Sequence, residues 1–124
     1  MVRLFEQKAI KIVRAYEIAN RRNPINVSKN GVGYDIESSG RKIEVKGISE
    51  SWKTYTWQSL YSSEVECLDR DTKNFYLYLV KFDDDKSSLY IIPGDELKKK
   101  FKIKIIDYAL TPISRKKLRE FLKI

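Results

Sequence analysis

The stretch GVGYDIESSGRKIEVKG, residues 31–47, carries the strongest structural signal in the chain. Two segments of strand-like composition flank Ser39-Gly40, which predicts a β-hairpin with its turn at that pair. Glu44 and Lys46 are two residues apart on the second strand. Their side chains therefore share one face, about 6.5–7 Å apart along the strand. The apolar residues that alternate with them then point to the opposite face, toward a core.

The register of the hairpin determines where Asp35 lies. A two-residue turn, or a four-residue loop around it, places Asp35 directly opposite Glu44 on the same face. A three-residue loop with Gly40 in a bulge would move Asp35 off that face. In the first case the two carboxylates are about 5 Å apart and repel each other. Lys46 and a divalent cation would supply the missing positive charge, and hard oxygen ligands suit Mg²⁺.

The spacing Asp35-x8-Glu44-x-Lys46 resembles the signature of the PD-(D/E)XK nuclease superfamily. Tyr34 stands where that signature has its degenerate proline. The bare spacing is a weak signal, because a solvated strand face with a Glu–Lys pair would look the same. The flanking glycines, the apolar pattern of the opposite face and a helix predicted ahead of the hairpin favour the nuclease interpretation.

The wider string G-x-GYDI…IEVKG is similar to the domain at the C-terminus of the plant NO VEIN protein and its prokaryotic relatives. Those relatives continue with a helix carrying a Ser/Asn-Glu pair and a strand of the form Y-x-L-Y-x-V. Here Ser63-Glu64 and the segment FYLYLV, residues 75–80, stand at those places. The resemblance covers residues 1 to about 92.

The resemblance implies an α/β, restriction-endonuclease-like fold, a mixed β-sheet flanked by helices, and a nuclease that uses Mg²⁺ or Mn²⁺. Asp35 and Glu44 would ligate the metal ion together with the backbone carbonyl of Val45. Lys46 would hold or help to deprotonate the attacking water and offset developing charge. The same resemblance implies two further catalytic candidates: Glu6 on the first helix, and Gln58 after the E-x-K strand.

Two other glutamates have simpler explanations in the sequence. Glu64 falls in the first turn of a helix predicted over residues 62–70, where the helix dipole favours a carboxylate without any catalytic role. Glu17 stands four residues before Arg21, which predicts an exposed i,i+4 ion pair.

The chain of 124 residues predicts one domain, with a core over about 1–92 and a basic C-terminal extension over 93–124. It has no histidine and one cysteine, which excludes Ser-His-Asp, Cys-His and HNH chemistry and a Cys/His zinc site. No apolar run approaches a membrane span and no secretory signal is present, so a cytoplasmic protein is expected.

The net charge of +8 is uneven, with +6 in residues 95–124 and +2 in residues 1–94. A basic region favours a polyanion such as nucleic acid, although a lysine-rich solvated surface would look similar. Aromatic residues after the hairpin could stack on bases or fill a core. The predicted phosphate contacts are Lys98, Lys99, Lys100, Arg115, Lys116 and Arg119. The aromatic residues are Trp52, Tyr55 and Trp57.

Apolar periodicity predicts the remaining elements. They are a helix over 3–22, strands over 54–60, 74–82, 87–92 and 102–110, a short helix from residue 95 and a final helix after Ser114. The strand over 74–82 is apolar throughout, as expected of a central strand buried on both faces.

The leading functional hypothesis is a Mg²⁺-dependent endonuclease acting on nucleic acid, with DNA as the expected partner. The alternative is a non-catalytic DNA-binding module or subunit with the same fold, and a third possibility is a protein–protein adaptor. A homodimer would allow both strands of a duplex to be cut, and partner subunits are conceivable.

Overall fold

The computed structural model of the protein describes residues 4–49, 62–100, 120 and 122. Three α-helices and five β-strands lie in these ranges, together with a single 3₁₀ turn at Ser28–Asn30. In chain order they are α1 (Leu4–Ala19), β1 (Pro24–Asn26), β2 (Ile36–Ser38), β3 (Arg41–Ser49), α2 (Ser62–Arg70), β4 (Phe75–Asp83), β5 (Lys86–Pro93) and α3 (Gly94–Lys100).

The five strands form one mixed sheet in the order β1-β2-β3-β4-β5. Strands β3 and β4 are parallel, and the other three neighbouring pairs are antiparallel. A parallel pair needs a crossover connection, and α2 lies in the segment that joins β3 to β4. The expected α/β fold with a mixed sheet flanked by helices is confirmed.

The hairpin closes through a two-residue turn. Ser39 and Gly40 both have positive φ, 48° and 92°, as a type I′ turn requires. Ser38 pairs with Arg41 in the resulting register. The alternative with a bulged three-residue loop is therefore wrong, and the regular pairing of β2 with β3 ends at Ile36 and Ile43, just short of Asp35.

Apolar residues pack on both faces of the sheet. On one face, α1 contributes Ala9 and Val13 to a core formed with inward-facing residues of β2, β3 and β4. On the other face, α2 and α3 cover the start of β4, with Leu68 and Leu97 packing on Phe75. Strand β4 therefore has buried residues on both faces, as its apolar sequence predicts, and its last three residues are half-buried.

Helix α1 ends in a Schellman motif, which the sequence did not reveal. Arg21 is left-handed, with φ 61°. The N–H groups of Arg21 and Arg22 donate to the carbonyls of Ile18 and Glu17 at 3.0 and 2.9 Å. This geometry turns the chain back at Arg22 and away from the regular helical path.

The predicted strands over 54–60 and 102–110 and the predicted final helix lie outside the described residues. Within residues 4–49 and 62–100, no helix has both the length and the apolar character needed to cross a membrane.

Candidate active site

Asp35 lies where the backbone pairing of the hairpin ends. Its N–H donates to the carbonyl of Ile43 at 2.9 Å. Its carboxylate Oδ2 accepts a hydrogen bond from the N–H of Val45, also at 2.9 Å. The side chain of Asp35 thus takes the place that a further residue of β2 would occupy beside β3. This anchors one carboxylate oxygen against the central strand.

The backbone of β3 presents the carbonyl of Val45 toward the same place. In a strand, the N–H and C=O of one residue face the same neighbour. The contacts of Ile43 and Val45 with Asp35 show that these residues face the β2 side. The neighbouring even-numbered residues face β4, as the Lys42 N–H does by donating to the carbonyl of Asn74 at 2.8 Å.

Glu44 is a buried carboxylate that is only partly satisfied. It is 2% exposed, and its Oε2 lies 3.2 Å from Nζ of Lys46. Its Oε1 is buried and has no hydrogen-bond partner among the described residues. The carboxyl of Glu64 is close by, and a hydrogen bond between the two carboxyl groups requires that one of them keeps its proton.

The carboxylates at this site make each other harder to ionise. Burial, followed by the charges of Asp35 and Glu64, raises the pKa of Glu44 to about 9. Burial also raises the pKa of Asp35, despite the hydrogen bond from Val45, and the charges of Glu64 and Glu6 add to the rise. Burial alone would lower the pKa of Lys46, but the charges of Glu44 and Glu64 outweigh it and raise that pKa.

Glu64 belongs to this site, which the interpretation of its position by the helix dipole alone missed. It lies in the first turn of α2 and is 8% exposed. Its Oε1 is 3.6 Å from Nζ of Lys46. The helix dipole would serve an exposed carboxylate equally well. The signal that could have identified Glu64 was the Ser63-Glu64 pair in the family resemblance.

The other predicted site residues are distributed unevenly. Glu6 is half-buried on α1 and close enough to Asp35 to influence its pKa. Lys98 and Lys99 are exposed on α3, and Nζ of Lys98 lies 3.0 Å from the carboxylate of Asp69 on α2. The side chain of Lys100 is not described, and Gln58, Arg115, Lys116 and Arg119 lie outside the described residues, as do Trp52, Tyr55 and Trp57.

The residues present fit a hard divalent cation through a small set of ligands. No three Asp, Glu or Cys side chains among the described residues converge as a metal-binding group. The predicted set needs only the two carboxylates of Asp35 and Glu44 with the Val45 carbonyl. The unpartnered Oε1 of Glu44 is the kind of oxygen that such an ion would use.

A second buried carboxylate lies on the α1 face of the sheet. Glu17 is fully buried, and its Oε2 accepts hydrogen bonds from Arg22 at 2.7 Å and from the Tyr78 hydroxyl at 2.8 Å. The predicted exposed pair with Arg21 is therefore wrong. The Schellman motif returns Arg22, rather than Arg21, to the side of Glu17.

Comparison with known protein families matches residues 5–92 to the family described as Protein NO VEIN, C-terminal. The matched segment runs from α1 to the end of β5 and contains the hairpin, the first turn of α2 and the strand β4. Neither the curated proteins nor the solved structures gave a match. Because the match covers most of the chain, the protein belongs to the family of the C-terminal domain of protein NO VEIN.

Proposed function

We propose that this protein is a nuclease that uses Mg²⁺ or Mn²⁺ to hydrolyse phosphodiester bonds in DNA. The observation that carries the proposal is the meeting of Asp35, Glu44 and Lys46 at the point where the pairing of β2 with β3 ends. Buried carboxylates next to a lysine, without enough positive charge to balance them, are common at functional sites.

A count of charges supports a divalent cation. Asp35, Glu44 and Glu64 bring three carboxylates to the site, and Lys46 brings one ammonium group. When all four groups are ionised, two negative charges remain in excess, before the nearby charge of Glu6 is counted. A divalent cation would offset this excess and oppose the rise in the pKa of Glu44 that burial and the neighbouring carboxylates cause.

Asp35, Glu44 and the carbonyl of Val45 would hold the metal ion. When bound, the ion would polarise a phosphoryl oxygen and lower the pKa of a coordinated water. Oδ2 of Asp35 is oriented by the N–H of Val45, which keeps this ligand in place before substrate arrives. Glu6 is the candidate for a further contact with this site.

Lys46 would act as a charged donor. Its raised pKa keeps the ammonium group protonated at neutral pH. It would therefore orient the attacking water and stabilise the negative charge that develops on the phosphoryl oxygens. A protonated lysine is a poor base, so stabilisation of charge is the role that its surroundings favour over removal of a proton.

The basic residues would bind the DNA backbone. Lys98 and Lys99 are exposed on α3, which packs beside α2. Asp69, the partner of Lys98, is five residues after Glu64 on α2, about 7.5 Å of helical rise away. Phosphate contacts from this side would position DNA without reading its sequence. Homodimerisation and partner subunits remain predictions.

The test is a cutting assay on supercoiled, linear, branched and single-stranded DNA and on RNA, with Mg²⁺, Mn²⁺ or EDTA. Metal-dependent cutting should occur with the wild-type protein and be lost in Asp35→Asn and Glu44→Gln. Glu37→Gln is the matched control, because Glu37 is an exposed carboxylate on the same hairpin. Salt-sensitive binding without cutting would instead support a DNA-binding module.

A further inference from the structure

The ammonium group of Lys46 lies between two carboxylates. Its Nζ is 3.2 Å from Oε2 of Glu44 and 3.6 Å from Oε1 of Glu64. All three side chains are at most 13% exposed. Water screens such contacts weakly, so each one affects where the ammonium group sits.

The first turn of α2 is held against the loop that leads into the hairpin. Gly33 has φ 89°, and a Cβ at this position would lie 2.6 Å from the carbonyl oxygen of Ser63 and 3.2 Å from Cβ of Cys67. Only glycine allows this approach. The loop that precedes Asp35 therefore also fixes the position of the first turn of α2, which carries Glu64.

The helix dipole does not explain why Glu64 is buried. A carboxylate in the first turn gains little from the dipole, and an exposed position supplies that gain without desolvation. Glu66 lies two residues later on the same helix and is exposed. Glu64 is buried in contact with Lys46 and near Glu44, whereas Glu66 is turned to solvent.

A single carboxylate partner would leave Lys46 in competition with a metal ion. If Glu44 alone held the ammonium group, a cation on Oε1 of Glu44 would compete with Lys46 for the charge of the same carboxylate and weaken the contact at Oε2. A second carboxylate keeps the ammonium group in place while Glu44 also binds the cation. The flexible four-carbon stem of lysine makes such an anchor necessary for a defined position.

We infer that Glu64 is a positioning residue: it holds the ammonium group of Lys46 beside Glu44, so that Glu44 can ligate a metal ion without releasing Lys46. This inference rests on the proposed nuclease function. It assigns Glu64 to act through Lys46, and it does not make Glu64 a metal ligand.

The first experiment measures cutting of supercoiled plasmid DNA with Mn²⁺ by Glu64→Gln, Lys46→Met and the double variant. Glu64→Gln should lower kcat about tenfold to a hundredfold, with KM and calorimetric Mn²⁺ affinity changed by less than about twofold. In the Lys46→Met background, adding Glu64→Gln should lower kcat by less than about twofold. Glu64→Asp, which keeps the charge, should recover part of the rate, and Glu66→Gln should cut as the wild type does.

Two results would overturn the inference. An equal loss of rate with and without Lys46→Met would mean that Glu64 acts independently of Lys46. A loss of Mn²⁺ binding in Glu64→Gln as severe as in Glu44→Gln would make Glu64 a ligand instead.

The second experiment separates this inference from the nuclease function. Urea unfolding without metal should show that Lys46→Met changes the effect of Glu64→Gln on the unfolding equilibrium constant by about fivefold or more. The matched cycle is Lys42→Met with Asp71→Asn, an ion pair at 2.8 Å that is 30% and 27% exposed and should couple by only about twofold.

The unfolding result tests whether Glu64 holds Lys46 even if the wild type cuts no substrate. If Glu64 and Lys46 are coupled in a protein that has no nuclease activity, the inference that Glu64 holds Lys46 is supported. Only the proposed nuclease function is then contradicted. Absence of coupling would overturn the inference whatever the cutting assay shows.

Discussion

Glu17 and Glu44 are both buried carboxylates, but they lie on opposite faces of the sheet in opposite electrostatic surroundings. Glu17 is paired with Arg22 through both guanidinium hydrogen bonds and accepts a third from Tyr78. Glu44 faces one lysine and two other carboxylates, and one of its oxygens has no hydrogen bond within the described part of the chain.

The two surroundings shift the pKa of the two glutamates in opposite directions. Burial would raise the pKa of Glu17, but the hydrogen bonds from Arg22 and Tyr78 outweigh it and lower that pKa. The pKa of Glu44 is raised, because burial and neighbouring carboxylates act together. A satisfied buried charge supports the fold, whereas a site that destabilises its own ionised form is prepared for a ligand.

The largest expected difference between the two glutamates is in catalysis. Glu44→Gln should slow metal-dependent cutting by about a thousandfold or more, because it removes a proposed metal ligand. Glu17→Gln should leave the rate per folded molecule unchanged. Single-turnover cutting, corrected for the folded fraction measured by circular dichroism, tests both. A similar loss in the two variants would remove the functional distinction.

The second difference is in stability at neutral pH, where the two substitutions should have opposite effects on the free energy of unfolding. Glu17→Gln should lower the free energy of unfolding by about 3 kcal/mol, because the guanidinium of Arg22 loses its charged partner. Glu44→Gln should raise it by about 1–3 kcal/mol in the absence of metal, because the neutral amide removes the cost of a poorly paired carboxylate. Urea denaturation in EDTA measures both, and a Glu44→Gln variant less stable than wild type would contradict the comparison.

The third difference is in the dependence of stability on pH. A carboxyl whose pKa is raised by folding keeps its proton in the native state after the unfolded chain has lost it. Glu44 should therefore make the protein less stable as the pH rises from about 4.5 to about 9, with Asp35 adding to the fall near the lower end. Glu17 has a lowered pKa, so its contribution is present above the ordinary carboxyl pKa and is lost as the pH falls below it.

Metal-free urea denaturation from about pH 2.5 to 9 checks these signs. In Glu44→Gln the decline between pH 5 and 9 should be much smaller than in the wild type. In Glu17→Gln that decline should persist, while the loss of stability in acid should be smaller. A wild-type stability that rises steadily across the whole range would contradict the raised pKa of Glu44.

The smallest effect concerns one hydrogen bond of Glu17. Tyr78→Phe removes the hydroxyl that donates to Glu17 and accepts from Arg41 at 2.8 Å. It should lower the free energy of unfolding by about 1–2 kcal/mol without changing the rate of cutting. Tyr76→Phe is the control. Cζ of Arg41 lies 4.2 Å from the ring centroid of Tyr76, and Phe keeps that ring. An equal loss in both variants would mean that the hydroxyl of Tyr78 contributes nothing specific.

Local sequence was sufficient to predict the hairpin and the face shared by Glu44 and Lys46. The alternation in β3 and the glycine at the turn are local features, and the side-chain period of a strand follows from its backbone. The register needed one further fact, the positive φ of both Ser39 and Gly40. The position of Asp35 depends on its own contacts with Ile43 and Val45, which lie beyond the paired register.

One wrong interpretation, for Glu17, and one incomplete interpretation, for Glu64, concern contacts that local periodicity does not report. Helical spacing pairs Glu17 with Arg21. Because Arg21 is left-handed, however, the residue that forms the ion pair with Glu17 is Arg22. Helix-dipole reasoning explains a carboxylate at position 64, but it cannot show that this carboxylate reaches Lys46 on another element.

The sequence by itself determined the two hairpin strands, the place of the turn and the order of the chemical groups along β3, because these depend on backbone geometry and on residues a few positions apart. Only the tertiary structure decided which carboxylates share Lys46 and which one is satisfied by Arg22 and Tyr78. Burial and the distances between charges are set by segments far apart in the chain, and these two quantities determine whether the pKa of a buried glutamate is lowered, as for Glu17, or raised, as for Glu44.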